Sequence, residues 1–297
     1  MTDDLLDCLV VGAGPAGLTA AVYLARYRRR LLVVDGGDSR LKWIPRTRNV
    51  PGYPDGIGGT ELLDRLREHA ARYHVPVEQG RIEVVEGGDG AFSARVAGRV
   101  VRARKVLLAT GASDVEPELP GLRESLATGN VRFCPVCDGF ETQRRRVAVL
   151  GRDLHGVRES LFIAGFDNQV TWLSLGTHGN VSPEDLTRLR ERNVLIAEQI
   201  PLHIRCDPGR GVEVEMVDGR KLGFDVLYPA LGMRHASELA CELGAQAADD
   251  GQLVVDDHLQ TTVPGLYAAG DVAAGLNQIA VAYGQAAIAA TAMHNAL

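Results

Sequence analysis

Short apolar runs, each closed by glycines or an acid, dominate the first forty residues. DCLVVGAG predicts a short buried strand ending in glycines, because its apolar run is continuous rather than alternating. PAGLTAAVYLARY follows with helical character, and LLVVD is a second strand that closes at Asp35. Together they make one βαβ unit of about thirty residues. The same succession returns later, with RRVAVLG as a strand, GVRESLFIAG as a helix and QVTWLSL as a strand. Between Arg81 and Val106, the alternating segments RIEVVEG, FSARVAG and RVVRARKVLLAT predict a small antiparallel piece. Residues 200–230 carry a similar meander in LHIRCD, GVEVEMVDG and KLGFDVLYPALG. The chain closes on a strand, a glycine turn and a long alanine-rich helix, within TTVPGLYAAGDVAAGLNQIAVAYGQAAIAATAMHNAL. The pattern predicts an α/β protein with two Rossmann-like nucleotide-binding domains, three-layered (ββα), the second inserted into the first. No low-complexity linker or short-period repeat is visible.

Composition narrows the partners. A chain of 297 residues is long enough for a sizeable core and for two domains. With 45% hydrophobic and 24% charged residues it reads as globular, and its net charge of −6 argues against nucleic acid or an anionic membrane. Two short basic clusters, Arg26 with Arg28 to Arg30 and Arg144 to Arg146, read as solvated helix and turn ends. The apolar run Cys8 to Ala25 contains Gly12, Gly14, Pro15 and Gly17, and its leader MTDDLLD is acidic with no cleavage pattern after it. Both features oppose a signal peptide or a membrane helix, so a cytoplasmic location is expected. Five cysteines without a secretion signal suit a reducing compartment, where a CxxC is catalytic or metal-binding more often than structural.

Candidate chemistry begins with Gly12-x-Gly14-x-x-Gly17, and Asp35 lies 18 residues past the last glycine. Gly12 permits a tight turn, Gly14 lets the backbone approach a pyrophosphate, and Gly17 lets helix and strand pack closely. Free N–H groups at the helix start serve the phosphates, and Asp35 can accept from a ribose hydroxyl. Cys134 and Cys137, in FCPVCDGFE, are a redox dithiol, half a zinc site, or two buried thiols. A CxxC at a helix start would lower the pKa of its first thiol. Zinc would need two more ligands, the best being His203 and Cys206, but residues three apart on a strand face opposite ways. No metal site is expected, and Cys8, Cys206 and Cys241 are expected to be small buried hydrophobes.

The motifs GAGPAG, ATG (Ala109, Thr110, Gly111), CPVCDG and the late AAGDV with Asn277-Gln278 resemble, in that order, the low-molecular-weight thioredoxin reductase family. The match covers nearly the whole chain. It implies an FAD-binding domain built from residues 1–115 and 246–297, and a central NAD(P)H-binding-like domain, 116–245, carrying the CxxC. It also implies a homodimer with one FAD per chain, and a thioredoxin-like protein or small disulfide or dithiol as partner. Carried over, Gly12, Gly14 and Gly17, with Pro15 and Ala16 between them, hold the FAD pyrophosphate, and Asp35 holds the adenosine ribose. Asn49, just before Pro51-Gly52, passes close to the isoalloxazine, and Ala109 to Gly111 line the cofactor. Gly270 and Asp271 meet the flavin's sugar-alcohol chain. Gln278 and Ile279 start a helix whose positive end faces the flavin N1 and C2 carbonyl. The resemblance makes the stretch a redox dithiol: Cys134 exchanges with an outside disulfide, Cys137 faces flavin C4a and forms a transient adduct, and Asp138 moves the proton.

One loop departs from that family. It reads Gly151-Arg152-Asp153-Leu154-His155-Gly156, with Asp153 in the place of the middle glycine, where a carboxylate would repel a pyrophosphate. The next strand ends at Leu173-Ser174-Leu175-Gly176, where the family carries a His-Arg-Arg run for the NADPH 2′-phosphate. No Lys or Arg occurs from Val170 to Thr187. Arg152 and His155 could compensate by pairing with Asp153 or a phosphate. NADPH is therefore not the expected electron source, and the second pocket is empty or holds another dinucleotide, even a second FAD. A ferredoxin-like donor, or a dithiol oxidase passing electrons to oxygen or another acceptor, fits instead. The alternatives are a conventional NADPH-dependent thioredoxin reductase, and a non-catalytic flavin-binding regulatory protein, against which the intact Cys-x-x-Cys-Asp argues.

Overall fold

The computed structural model describes residues 5–297; Met1 to Asp4, part of the acidic leader, lie outside the described residues. The larger of its sheets has the strand order Val77–Gln79, Leu31–Asp35, Leu6–Val11, Arg99–Leu108, Ala91–Val96, Ile82–Gly88, and Leu266–Ala268 also pairs with Arg99–Leu108. Leu6–Val11 and Leu31–Asp35 run parallel, which demands a crossover, and the helix Pro15–Arg26 supplies it. Strands drawn from both ends of the chain thus share one sheet.

The segments between Arg81 and Val106 do form an antiparallel meander, but it is not a separate piece. Its third strand, Arg99–Leu108, pairs antiparallel with Ala91–Val96 and parallel with Leu6–Val11. Its composition explains the double use. RVVRAR alternates and leaves one face wet, whereas KVLL is buried on both faces at the sheet centre.

A second, four-stranded parallel sheet has the order Leu195–Ala197, Gln169–Leu173, Arg146–Gly151, Val226–Ala230. The meander expected over residues 200–230 ends earlier, at Phe224, after the antiparallel strands Pro201–Asp207, Gly211–Met216 and Lys221–Phe224. Val226–Ala230 leaves it because an unbroken apolar strand has no face to give to water, and all five of its residues are buried. The helix expected at GVRESLFIAG starts three residues sooner, spanning Asp153–Ala164.

Two short strands, Ala112–Asp114 and Met233–His235, pair antiparallel where the chain passes between the sheets. The helix Ile279–Asn295 packs on Pro15–Arg26, and its buried Ala282, Ala286, Ala289 and Ala290 let the two approach closely. Arg29 tethers the far end by donating from Nε to His294 Nδ1 (2.8 Å). Of the lone cysteines, Cys8 is buried and its thiol is pushed up to about 12, chiefly by burial. Cys206 is half-buried, and Cys241 is exposed, contrary to expectation. The short helix Glu238–Glu242 turns Ala240 into the core and leaves the neighbouring Cys241 outside.

Candidate active site

Three glycines at the end of the first strand do different jobs. A Cβ on Gly12, at φ +107°, would sit 2.3 Å from the Ala109 carbonyl oxygen, and one on Gly17 would sit 1.9 Å from that of Gly12. Packing alone therefore requires glycine at both. Gly14 differs, since the nearest atom to its Cβ position is Ser39 Oγ at 3.6 Å. Nothing in the protein forbids a side chain there. Gly14 opens onto a cavity of about 600 Å³, within the range of ligand sites. It caps the helix Pro15–Arg26 without any side-chain hydrogen bond, leaving the first N–H groups of the helix to a ligand. Ser39 Oγ, on the same wall, is buried without a hydrogen-bond partner, which costs roughly 1–3 kcal/mol unless a ligand satisfies it. The cradle fits an elongated, anionic dinucleotide.

Other expected residues gather around this cavity. Pro15, Ala16, Asp35, Asn49, Ala109, Thr110, Gly111, Gly270, Asp271, Gln278 and Ile279 all line it. Asp35 is only 4% exposed, and its carboxylate already accepts from Gly37 N (2.9 Å), Gln79 Nε2 (3.3 Å) and Arg67 Nη2 (3.4 Å). Asp271 is ion-paired, with Arg40 Nη1 at 2.7 Å, and Arg40 also holds Asp114 at 2.9 Å. Burial raises the Asp114 carboxyl above its ordinary value, and the Arg40 charge opposes that shift without cancelling it. Thr110 Oγ1 donates to the Ala236 carbonyl (2.6 Å), tying the ATG turn to the returning chain. Gln278 is the N-cap of Ile279–Asn295, again without a side-chain cap, so a second helix start faces the cavity.

The cysteines stand on the same wall. Cys134 caps a one-turn helix, Pro135–Asp138, and is disulfide-bonded to Cys137. The side-chain amide of Gln278 donates from Nε2 toward both Cys134 Sγ and Cys137 Sγ, each at 3.5 Å. Asp138 lies behind them. Its Oδ1 accepts from Tyr228 Oη (2.7 Å), and its Oδ2 is 3.4 Å from Arg132 Nη1. Burial raises the Asp138 carboxyl above the usual range, with Arg132 and Tyr228 pulling the other way. Ser39, Arg40, Asp114, Arg132 and Tyr228 carry no motif signal. All five were missed, and only Tyr228, a polar tip inside the apolar run VLYPA, left a signal that could have found it.

The second loop keeps its packing glycines. A Cβ on Gly151 would meet the Ala230 carbonyl at 2.7 Å, and one on Gly156 would meet Trp172 Nε1 at 2.3 Å. Trp172 is fully buried and donates to the Gly151 carbonyl (2.8 Å), so an indole fills the floor of the loop. Asp153 takes the left-handed backbone, φ +45°, that its place in the loop requires. Its carboxylate accepts from Asn180 Nδ2 (3.0 Å), and its N–H donates to Thr177 Oγ1 (2.9 Å). His155 turns instead to Glu159, 3.7 Å away, and Arg152 is exposed at the helix cap, so the suggested pairing of either with Asp153 is not made. His203 and Cys206 lie on Pro201–Asp207, opposite Glu215 and Val212 respectively, His203 exposed and Cys206 half-buried. Among the described residues no group of three His, Cys, Asp or Glu could hold a metal, and no helix is long and apolar enough to cross a membrane.

Comparison with known proteins agrees with this geometry. Residues 6–286 match the pyridine nucleotide-disulphide oxidoreductase family. The thioredoxin reductase of Mycolicibacterium smegmatis is 30% identical over 275 residues, covering 90% of this chain and 88% of the relative. That of Aquifex aeolicus is 29% identical over 284 residues, covering 91% and 86%. The crystal structure of thioredoxin reductase from Streptococcus pyogenes superposes with a TM-score of 0.92 at 25% identity, covering 99% of each chain. The chain therefore belongs to the pyridine nucleotide-disulphide oxidoreductase family and, within it, to the thioredoxin reductases, which are flavin-dependent disulfide oxidoreductases.

Proposed function

We propose that the protein is an FAD-dependent dithiol/disulfide oxidoreductase whose electrons do not come from NADPH. The observation that carries the second half is the Gly151–Gly156 loop. Asp153 sits where a pyrophosphate would have to approach, its carboxylate held in place by Asn180. Leu175 and Gly176 supply no cation to a 2′-phosphate. Losing two charge-assisted contacts of roughly 1.5–3 kcal/mol each weakens binding by roughly 10²–10⁴.

Residues 1–115 and 246–297 form the FAD-binding part, and 116–245 the part that carries the dithiol. Gly12, Gly14 and Gly17 hold the pyrophosphate at the start of the helix Pro15–Arg26, Asp35 stands at the ribose, and Ala109 to Gly111 form the floor. Gly270 and Asp271 serve the sugar-alcohol chain, and Asn49, Gln278 and Ile279 lie at the redox end. FAD, when bound, supplies two-electron transfer. Cys134 exchanges with the substrate sulfur and Cys137 stays inward, while Asp138 holds the proton at its carboxylate, helped by the burial that raises its pKa. The partner is a thioredoxin-like protein or a small disulfide or dithiol. A ferredoxin-like donor feeds the reductase direction; in the oxidase direction oxygen or another acceptor takes two electrons and two protons. The second pocket is empty or holds another dinucleotide, and the protein acts as a homodimer in the cytoplasm.

Anaerobic mixing with NADPH, NADH, reduced ferredoxin or a dithiol, read as flavin bleaching at about 450 nm, tests this. The expected result is rapid bleaching by dithiol or ferredoxin and slow or no bleaching by NADPH. Bleaching within about one second at about 0.1 mM NADPH, inside the usual KM range, would overturn it. With Asp153 and Leu175 as the cause, Asp153→Gly combined with Leu175→Arg should raise the slow NADPH rate of the wild type. Gly176, at φ +77°, is a poor host for arginine and is better left alone.

A further inference from the structure

Between the disulfide and the first nucleotide fold stands a short relay of side chains. Thr47 Oγ1 donates to Asn49 Oδ1 at 2.9 Å, and Asn49 Nδ2 donates to Gln278 Oε1 at 2.8 Å. Gln278 Nε2 in turn points at both cysteine sulfurs, 3.5 Å from each. Asn49 Nδ2 also reaches the carbonyl of Val136, inside the CxxC turn, at 3.4 Å. The Val136 carbonyl can only accept, so the Asn49 amide nitrogen faces it and Gln278, and the Thr47 hydroxyl, which can donate, meets the Asn49 oxygen. That nitrogen occupies the Gln278 oxygen, which stands 3.9 Å from Cys137 Sγ, so the nearer group Gln278 presents to sulfur is its N–H, at 3.5 Å. The helix start at Gln278 adds its positive end on the same side.

Resting on the dithiol chemistry proposed above, we infer that Gln278 is the hydrogen-bond donor to the thiolate released when Cys134–Cys137 opens, and that Asn49 is the positioning residue that keeps it donating. In the exchange step a substrate thiolate attacks Cys134 Sγ and forms a mixed disulfide with it. The Cys134–Cys137 bond breaks, and its electron pair leaves on Cys137 Sγ as a thiolate. No net electrons are gained or lost. A thiolate leaves faster as its pKa falls, and an N–H aimed at it lowers that pKa. The disulfide accepts these N–H groups weakly, whereas the thiolate accepts them strongly, so the bond tightens as the charge develops. The charged and titratable groups on the other side of the turn are Asp138, Arg132, Tyr228 and Glu141. None of these is exchanged in the variants below.

The test uses full-length, flavin-loaded protein carrying Cys134→Ser, so that Cys137 is the one CxxC thiol left. The rate of alkylation by iodoacetamide is followed against pH, with Cys137 read by peptide mass spectrometry. Adding Gln278→Met, which keeps length and removes the donor, should raise the apparent Cys137 pKa by about one unit, the effect of one lost hydrogen bond to a charged group. Adding Asn49→Leu instead should raise it in the same direction by less, because Gln278 remains but is free to turn. A melting temperature held to that of the Cys134→Ser parent separates this from unfolding, and because both residues line the cofactor cavity, a variant that loses flavin is compared with the flavin-stripped parent. If Gln278→Met fails to fold, the Asn49→Leu shift decides alone. An unchanged Cys137 pKa in a folded, flavin-loaded variant would overturn the inference. Failure of the wild-type protein to turn over any dithiol or disulfide would instead sink the functional proposal, and the alkylation assay does not depend on turnover.

Discussion

Tyr228 donates its hydroxyl to Asp138 Oδ1 across 2.7 Å, from the middle of a strand with no exposed residue. Burial, with the Asp138 charge behind it, pushes the phenol well above its ordinary value, so it remains a donor at any working pH. The carboxyl of Asp138 is itself raised by burial, and the Tyr228 bond is one of the forces that limit the rise. Tyr228→Phe removes a donor to the ionised form and must move the carboxyl further up. A hydrogen bond to a charged group is worth about 1.5–3 kcal/mol, or one to two pH units. The limb of the pH–rate profile that Asp138 governs should shift upward by that amount. A profile that merely drops in height, with unmoved limbs, would assign Tyr228 to packing.

Gly14 separates cofactor binding from folding. Because its Cβ position is 3.6 Å from the nearest atom, Gly14→Val should fold with a melting temperature near that of the flavin-free parent. It should nevertheless purify colourless, since the side chain fills the ligand side of the turn. Gly17→Ala, whose Cβ would overlap the Gly12 carbonyl at 1.9 Å, should fail as a fold. Flavin absorbance per chain, together with circular-dichroism melts, distinguishes the two. Stoichiometric flavin in Gly14→Val would refute the placement of the pyrophosphate.

The two cysteines should differ in their spectra. Cys134→Ser and Cys137→Ser should each abolish disulfide turnover and leave flavin bound. Only a thiolate next to the oxidised ring gives a long-wavelength charge-transfer band. The band should appear in Cys134→Ser, which retains Cys137, and be absent from Cys137→Ser. The reverse pattern would exchange their roles.

Glu159 offers a test in stability. Its Oε2 is buried without a partner, and burial, with the nearby Asp114 charge second, pushes its carboxyl from 4.5 up to about 7. The folded state therefore holds a proton that the unfolded chain has lost, so stability declines as pH rises from about 4.5 to about 7. Glu159→Gln cannot ionise and escapes that decline. Relative to wild type it should gain roughly 2–3 kcal/mol at pH 8 and most of that gain should vanish at pH 5. Thermal melts at the two pH values give the comparison, and an equal effect at both would exclude ionisation as the cause.

What was legible in the sequence was what local chemistry dictates. Gly12 and Gly17, Gly151 and Gly156 were readable because a strand that meets a helix this closely admits no Cβ. Cys134 and Cys137 alone left a dithiol, half a zinc site or two buried thiols open; the motifs around them made the redox pair readable. The strand Val226–Ala230 was misassigned to a meander, since register belongs to the partner strand and not to the segment itself. Cys241 was expected inside because cysteine usually is, but one turn of helix decided which neighbour went in. Arg40 gave no sign of itself: its partners Asp114 and Asp271 are 74 and 231 residues away in sequence. The Thr47, Asn49 and Gln278 relay is hidden for the same reason, because amide orientation exists only once distant groups have met.

The paired strands Ala112–Asp114 and Met233–His235 bring the outgoing and returning chain side by side. Val115 N donating to the Gly232 carbonyl (3.0 Å), and Ala236 N to that of Gly111 (3.0 Å), extend the pairing at both ends. Everything from residue 116 to 231 hangs from this ribbon, and none of the seven strands of the large sheet comes from that stretch. Two strands so paired need only a tight turn to join them. The hung portion is in that sense modular: its loops can change, and no strand register of the large sheet depends on them.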